Sequence, residues 1–110
     1  MYHKELLKGN TETLLLSLLS DEAMYGYQIV KEIRERSGGY FRFKEGTLYP
    51  ALHRLEASGL IEGQWKEAST GAPRRYYHMT SKGLKTLDER TAEWKRFSTA
   101  VNSIMPALVS

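Results

Sequence analysis

Apolar residues along this chain recur with two different spacings, and the switches between them divide it into elements. After Asn10, the positions Thr11, Leu14, Leu15, Leu18 and Leu19 recur at three- and four-residue steps, which predicts a helix capped by Asn10 and running to about Ser20. This is the most apolar segment, so it belongs at the centre of the core. Beyond a turn at Ser20-Asp21-Glu22, Tyr25-Gly26 opens a second helix, with Ile29, Val30 and Ile33 facing inward and Lys31, Glu32, Arg34, Glu35 and Arg36 facing water. Gly26 near its start reads as a close backbone approach between helices. Ser37-Gly38-Gly39 stops that helix. The alternation Tyr40-Phe41-Arg42-Phe43 then predicts a short strand with Phe41 and Phe43 on one side.

From Lys44 to Ile61 the chain reads as one helix with two chemically different faces. Leu48, Leu52 and Leu55 share a narrow arc of the helical wheel, with Ala51 at its margin, and that arc must be buried. The opposite arc carries Thr47, Tyr49, Pro50, His53, Arg54 and Ala57, with Glu56 at its edge. A threonine, a phenol, an imidazole and a guanidinium with no long acid among them suit the floor of a DNA major groove. Thr47 is the expected N-cap, which would place Pro50 where its missing N–H costs no intrahelical bond. Gly59 is the expected left-handed cap, and Leu60-Ile61 begin something extended.

Two strand-like runs follow, Ile61 to Lys66 and Arg74 to Met79, joined by the small-residue loop Glu67 to Pro73. A hairpin with a basic return strand describes a wing. Lys66, Arg74 and Arg75 on it, and Lys44 before the helix, are candidates for neutralising phosphates; cations on an exposed hairpin also serve solubility alone. Tyr76 and Tyr77 alternate, so one is expected in the core and one exposed, while Trp65 reads as structural packing. Thr80 or Ser81 caps a last helix in which Leu84, Leu87, Trp94, Phe97, Val101, Ile104, Met105 and Leu108 recur at near helical spacing, with the polar Thr91 interrupting. Running to about Met105, just before Pro106, it would span about 37 Å. That is too long for a core of short helices to cover, so its stripe is expected to be buried against a second copy of the chain.

Composition narrows the classes. With 26% charged and 41% hydrophobic residues over 110 positions, the chain is expected to fold as one domain. The absence of cysteine removes disulfides, thiolate metal sites and cysteine nucleophiles, and fits a reducing cytoplasm. With no basic lead into a long apolar run, neither export nor a membrane span is expected. Met1 to Gly9 is a short polar lead bearing Lys4, Leu6, Leu7 and Lys8, read as an arm or a first helical turn. A net charge of +3 and a pI near 9.2 permit a polyanionic partner without demanding one. No nucleophile elbow, phosphate-binding glycine loop or paired-histidine metal motif is present, His3, His53 and His78 are scattered, and Asp21-Glu22 reads as a solvated cap. No enzyme, metal or cofactor is expected.

The string Gly46-Thr47-Leu48-Tyr49-Pro50-Ala51-Leu52-His53-Arg54-Leu55-Glu56, followed by Gly59-Leu60-Ile61, resembles the recognition-helix signature of the PadR family of bacterial transcriptional regulators. Met24-Tyr25-Gly26-Tyr27-Gln28-Ile29 upstream and Pro73-Arg74-Arg75-Tyr76-Tyr77-His78-Met79-Thr80-Ser81-Lys82-Gly83 downstream resemble the same family in order and spacing, from roughly Leu14 to Leu87. The resemblance implies DNA contact by Tyr49 and, less directly, by His53 and Arg54, because positions that read different operators vary. It also implies that Trp94, with Phe97 one turn away, lines a cavity between two subunits and stacks on flat aromatic effectors; the plainer reading is that Trp94 fills a dimer core.

The expected fold is mainly α with a small antiparallel β wing. It comprises a winged helix-turn-helix with an N-terminal arm over residues 1–79 and a C-terminal dimerisation helix over 80–110, in one compact domain. The expected function is homodimeric, sequence-specific binding of double-stranded DNA by a ligand-responsive repressor at a roughly palindromic operator. The alternative is a winged-helix protein-interaction module, for which Lys44, Arg54, Lys66, Arg74 and Arg75 need not gather on one surface.

Overall fold

The computed structural model describes residues 9–105; expectations for Met1 to Lys8, Pro106 and Leu108 lie outside them. The first helix, α1 (Thr11–Leu19), buries Leu15, Leu16, Leu18 and Leu19, and around this apolar rod the other elements collect. A two-residue strand, β1 (Met24–Tyr25), leads into α2 (Gly26–Arg36), which buries Ile29 and Ile33. Gln28 Oε1 accepts a hydrogen bond from the Tyr25 N–H at 3.1 Å, satisfying one of the amides left open at that helix start.

No strand forms at Tyr40 to Phe43, contrary to its alternation. The amides there are taken by the preceding helix end: Tyr40 N–H donates to the Ser37 carbonyl at 3.1 Å and Phe41 N–H to Ser37 Oγ at 2.9 Å. Phe43 is nevertheless buried, with Phe41 packed against the core.

The next helix, α3 (Glu45–Ala57), begins earlier than Thr47. Lys44 is its N-cap, and the amides of Thr47 and Leu48 both reach the Lys44 carbonyl at 2.9 Å. Pro50 therefore lies inside the helix, where it has no N–H to offer the Gly46 carbonyl. Leu48, Ala51, Leu52 and Leu55 are buried on the predicted arc. The helix ends as expected on Gly59 at φ +77, with Gly59 N–H bonded to Glu56 C=O and Leu60 N–H to Leu55 C=O, each at 3.0 Å. This paired closure satisfies carbonyls that the last turn leaves open.

Strands β2 (Ile61–Lys66) and β3 (Arg74–Met79) form the predicted hairpin, with Ile61 opposite Met79 and Lys66 opposite Arg74. β1 pairs antiparallel to the other side of β3, giving the order β1-β3-β2. Tyr77 is the core tyrosine and Tyr76 is half-buried. The last helix, α4 (Ser81–Ile104), is capped by Thr80, whose Oγ1 accepts from Gly83 N–H at 3.0 Å and also lies 2.7 Å from the Gly59 carbonyl. Lys82 Nζ donates to the Ser58 carbonyl at 2.8 Å, so the end of α3 and the start of α4 are fastened at one junction. Among the described residues no helix is long and apolar enough to cross a membrane.

Candidate nucleic-acid interface

Burying four residues of α3 on one arc leaves Thr47, Tyr49, Pro50, His53, Arg54 and Ala57 exposed on the other. Tyr49 is 45% exposed, and its ring lies over the start of α2 at Gly26, where any Cβ would run into it. The close approach expected at Gly26 is thus made by a side chain of α3. Arg54 is not free on that face: its Nε donates to Glu12 Oε2 at 3.0 Å, and the same carboxylate lies 3.8 Å from Arg90 Nη1. Lys44, at the helix start, has no ion-pair partner among the described residues.

The period of two along β3 separates its adjacent arginines. Arg74 shares a face with Tyr76, and its guanidinium sits 4.5 Å from the centre of the Tyr25 ring. Lys66, directly opposite it on β2, lies 5.0 Å from the Tyr76 ring centre. Both cations are exposed and neither meets an acid among the described residues. Arg75 turns to the other face, where its Nη2 donates to Glu56 Oε2 of α3 at 2.6 Å. Grouping the wing cations by sequence therefore overlooked that Arg75 is already neutralised. Tyr77, beside it, has its hydroxyl pKa raised, first by burial and then by the Glu56 charge, while Arg75 pulls it down.

Trp65 does not pack in the core; it is 67% exposed. It falls in register with Ile61 and Gly63, but the core ends before the hairpin does. With Tyr25, Tyr49, Pro73, Arg74 and Arg75 it lines an open cleft of about 300 Å³ between α3 and the wing. Tyr25 and Trp65 are the residues of this surface that the sequence did not single out for DNA contact, Trp65 having been expected to pack structurally. Tyr25 belonged to a quoted motif but was assigned only a helix start, since its pairing with Tyr76 across β1 and β3 has no local signature.

A known family accounts for this arrangement. Residues 15–89 match the transcriptional regulator PadR-like family. The chain belongs to the PadR-like family of transcriptional regulators. Transcriptional regulator Rv3488 of Mycobacterium tuberculosis is 34% identical over 86 residues, spanning 78% of this chain and 77% of that one. A PadR-like transcriptional regulator from Bacillus cereus is 38% identical and superposes with a TM-score of 0.82, covering 94% of this chain and 99% of its own. Bacillus subtilis PadR, solved in complex with operator DNA, is 25% identical with a TM-score of 0.67 over 74% of this chain and 46% of that one. The fold is accordingly a winged helix-turn-helix, and PadR-like regulators are not enzymes.

In this PadR-like chain α4 contributes little to the core. Gly83 and Leu87 are its buried residues, whereas Leu84, Trp94, Phe97 and Ile104 are 49%, 52%, 58% and 84% exposed and Met105, its C-cap, 60%. Leu87 packs within the core of its own chain. Val101 is half-buried. The Trp94 and Phe97 rings lie 5.7 Å apart, inclined by 30°.

Proposed function

We propose that this chain binds double-stranded DNA as a homodimer and acts as a ligand-responsive repressor at a roughly palindromic operator. The observation that carries the reading is the cleft that Tyr49 of the exposed α3 face and Arg74 of the wing line together. α3 enters the major groove, presenting Thr47, Tyr49 and His53 to base edges and phosphates, while Lys44, Lys66 and Arg74 neutralise flanking backbone. Arg54 joins them on exchanging Glu12 for a phosphate. The α4 stripes of two copies pack together and set the half-sites about 34 Å apart or a multiple of that. A flat aromatic compound stacking on Trp94 and Phe97 at that seam changes the tilt of the subunits and spoils the spacing, a shift of population between DNA-competent and incompetent dimers.

The test is fluorescence anisotropy with DNA from upstream of the chain's own gene, titrated with wild type and Tyr49→Ala against a scrambled duplex at moderate salt. Sequence reading gives tight binding to the native fragment, at least tenfold weaker in the mutant or on the scramble. Equal, weak binding to both duplexes would favour a protein-interaction module. Quenching of tryptophan fluorescence by planar dyes, abolished in Trp94→Ala with the dimer intact, checks the effector site.

A further inference from the structure

Glu56 is the last acid on α3 before the turn into the wing, and one of its oxygens serves two groups of the hairpin. Oε2 accepts from Arg75 Nη2 at 2.6 Å and from the Gly63 N–H at 3.1 Å. The guanidinium is also flanked by rings, 5.6 Å from the centre of Trp65 and 5.8 Å from that of Tyr77. Glycine at position 63 makes its seat, since a Cβ there would fall 2.5 Å from Arg75 Nε and 2.6 Å from Cζ. The two side chains are only 30% and 31% exposed, so solvent screens this pair less than the open pairs elsewhere on the surface.

We infer that Arg75 is a positioning residue: through Glu56 it locks the tilt of the wing against α3, and so the spacing between Tyr49 and Arg74, instead of neutralising phosphate itself. The inference rests on the DNA-reading function proposed above. A phosphate-contacting Arg75 and a clamping Arg75 predict opposite signs for the same substitution. If Arg75 contacts phosphate, Glu56 competes for it, and Glu56→Gln removes an anion and releases a cation, so DNA binds more tightly. If the pair is a clamp, Glu56→Gln frees the wing and binding to a specific site weakens, despite the more favourable charge. Gly63→Ala separates the two without altering charge. Gly63 is not among the glycines with positive φ, so alanine suits the backbone there and evicts only the flexible guanidinium.

The experiment uses the full chain and a duplex selected by wild type from a randomised pool, with anisotropy measured over a salt series. Glu56→Gln, Gly63→Ala, Arg75→Gln and the double variant Glu56→Gln with Arg75→Gln are compared, and Arg74→Gln serves as the phosphate-contact control. Circular dichroism and melting confirm that each variant is folded. The clamp predicts that each of the first three loses roughly tenfold in affinity for the selected duplex with an unchanged salt slope, and that the double variant loses no more than either of its single variants. Arg74→Gln lowers the slope by about one. Glu56→Gln binding as tightly as wild type or more so, or Arg75→Gln lowering the slope by about one, overturns the clamp while leaving DNA reading intact. A wild type that selects no sequence removes DNA reading itself, and the clamp with it.

Discussion

Tyr49 and Gly26 show how much of this surface depends on single residues. The tyrosine ring lies over a helix start that has no side chain to obstruct it. Replacing Gly26 with alanine leaves every charge in place and suits a helix, so stability is expected to change by no more than about 1 kcal/mol. The added methyl nevertheless occupies the space of the Tyr49 ring, which must swing away. Gly26→Ala is therefore expected to melt like wild type but to bind DNA as weakly as Tyr49→Ala, a comparison that thermal denaturation and anisotropy on the same preparations would make. Weak folding together with weak binding would instead make Gly26 a packing residue only.

At the scale of elements, the junction of α3 with α4 connects the proposed reading head to the rest of the molecule. Thr80 caps α4 while its hydroxyl lies against the Gly59 carbonyl, and a Cβ on Gly83 would strike the Leu60 carbonyl and the Met79 sulfur. Thr80→Ala is expected to cost about 1 kcal/mol, as for other helix caps. Gly83→Ala is expected to cost more, about 1–3 kcal/mol, because a backbone carbonyl cannot turn aside as a side chain can. Denaturant titration would order them, and the reverse order would show that the cap holds the junction. Elements with a local signature were legible in the sequence: the apolar arc of α3, the Gly59 cap, both wing strands and the Thr80 cap. β1 was not, because two residues carry no period and Met24-Tyr25 is extended only through pairing with Tyr76 and Tyr77 far along the chain. Tyr40 to Phe43 had the period of a strand, but the Ser37 carbonyl and hydroxyl accept from the Tyr40 and Phe41 amides instead. The start of α3 was misplaced because Thr47 is a good cap type and Pro50 argued against an earlier start. The candidate site was legible as a set of residue types. Which cations were already held by Glu12 and Glu56 depends on contacts between distant segments, which no local pattern carries.

For the whole molecule, the exposed stripe on α4 sets the terms. Ring and aliphatic surface at Trp94, Phe97, Ile104 and Met105 lies in water in the single chain, and a second copy is the occupant proposed for it. Trp94→Asp with Phe97→Asp is then expected to give a folded monomer by sedimentation, with wing and α3 unchanged, and to remove the dependence of melting temperature on protein concentration. A double mutant that still sediments as a dimer would place the contact elsewhere. Leu87 is the last residue of α4 anchored in its own core, so the residues between it and Trp94 behave as the shaft of a gear. One residue inserted there would rotate the stripe by about 100° against the reading head and advance it by about 1.5 Å; seven would return it to nearly the same face about 10 Å farther out. In the proposed dimer the length of that shaft would fix the angular phase at which two heads meet one duplex, and a change in it would alter which spacing of half-sites is read without touching a single residue proposed to face the DNA.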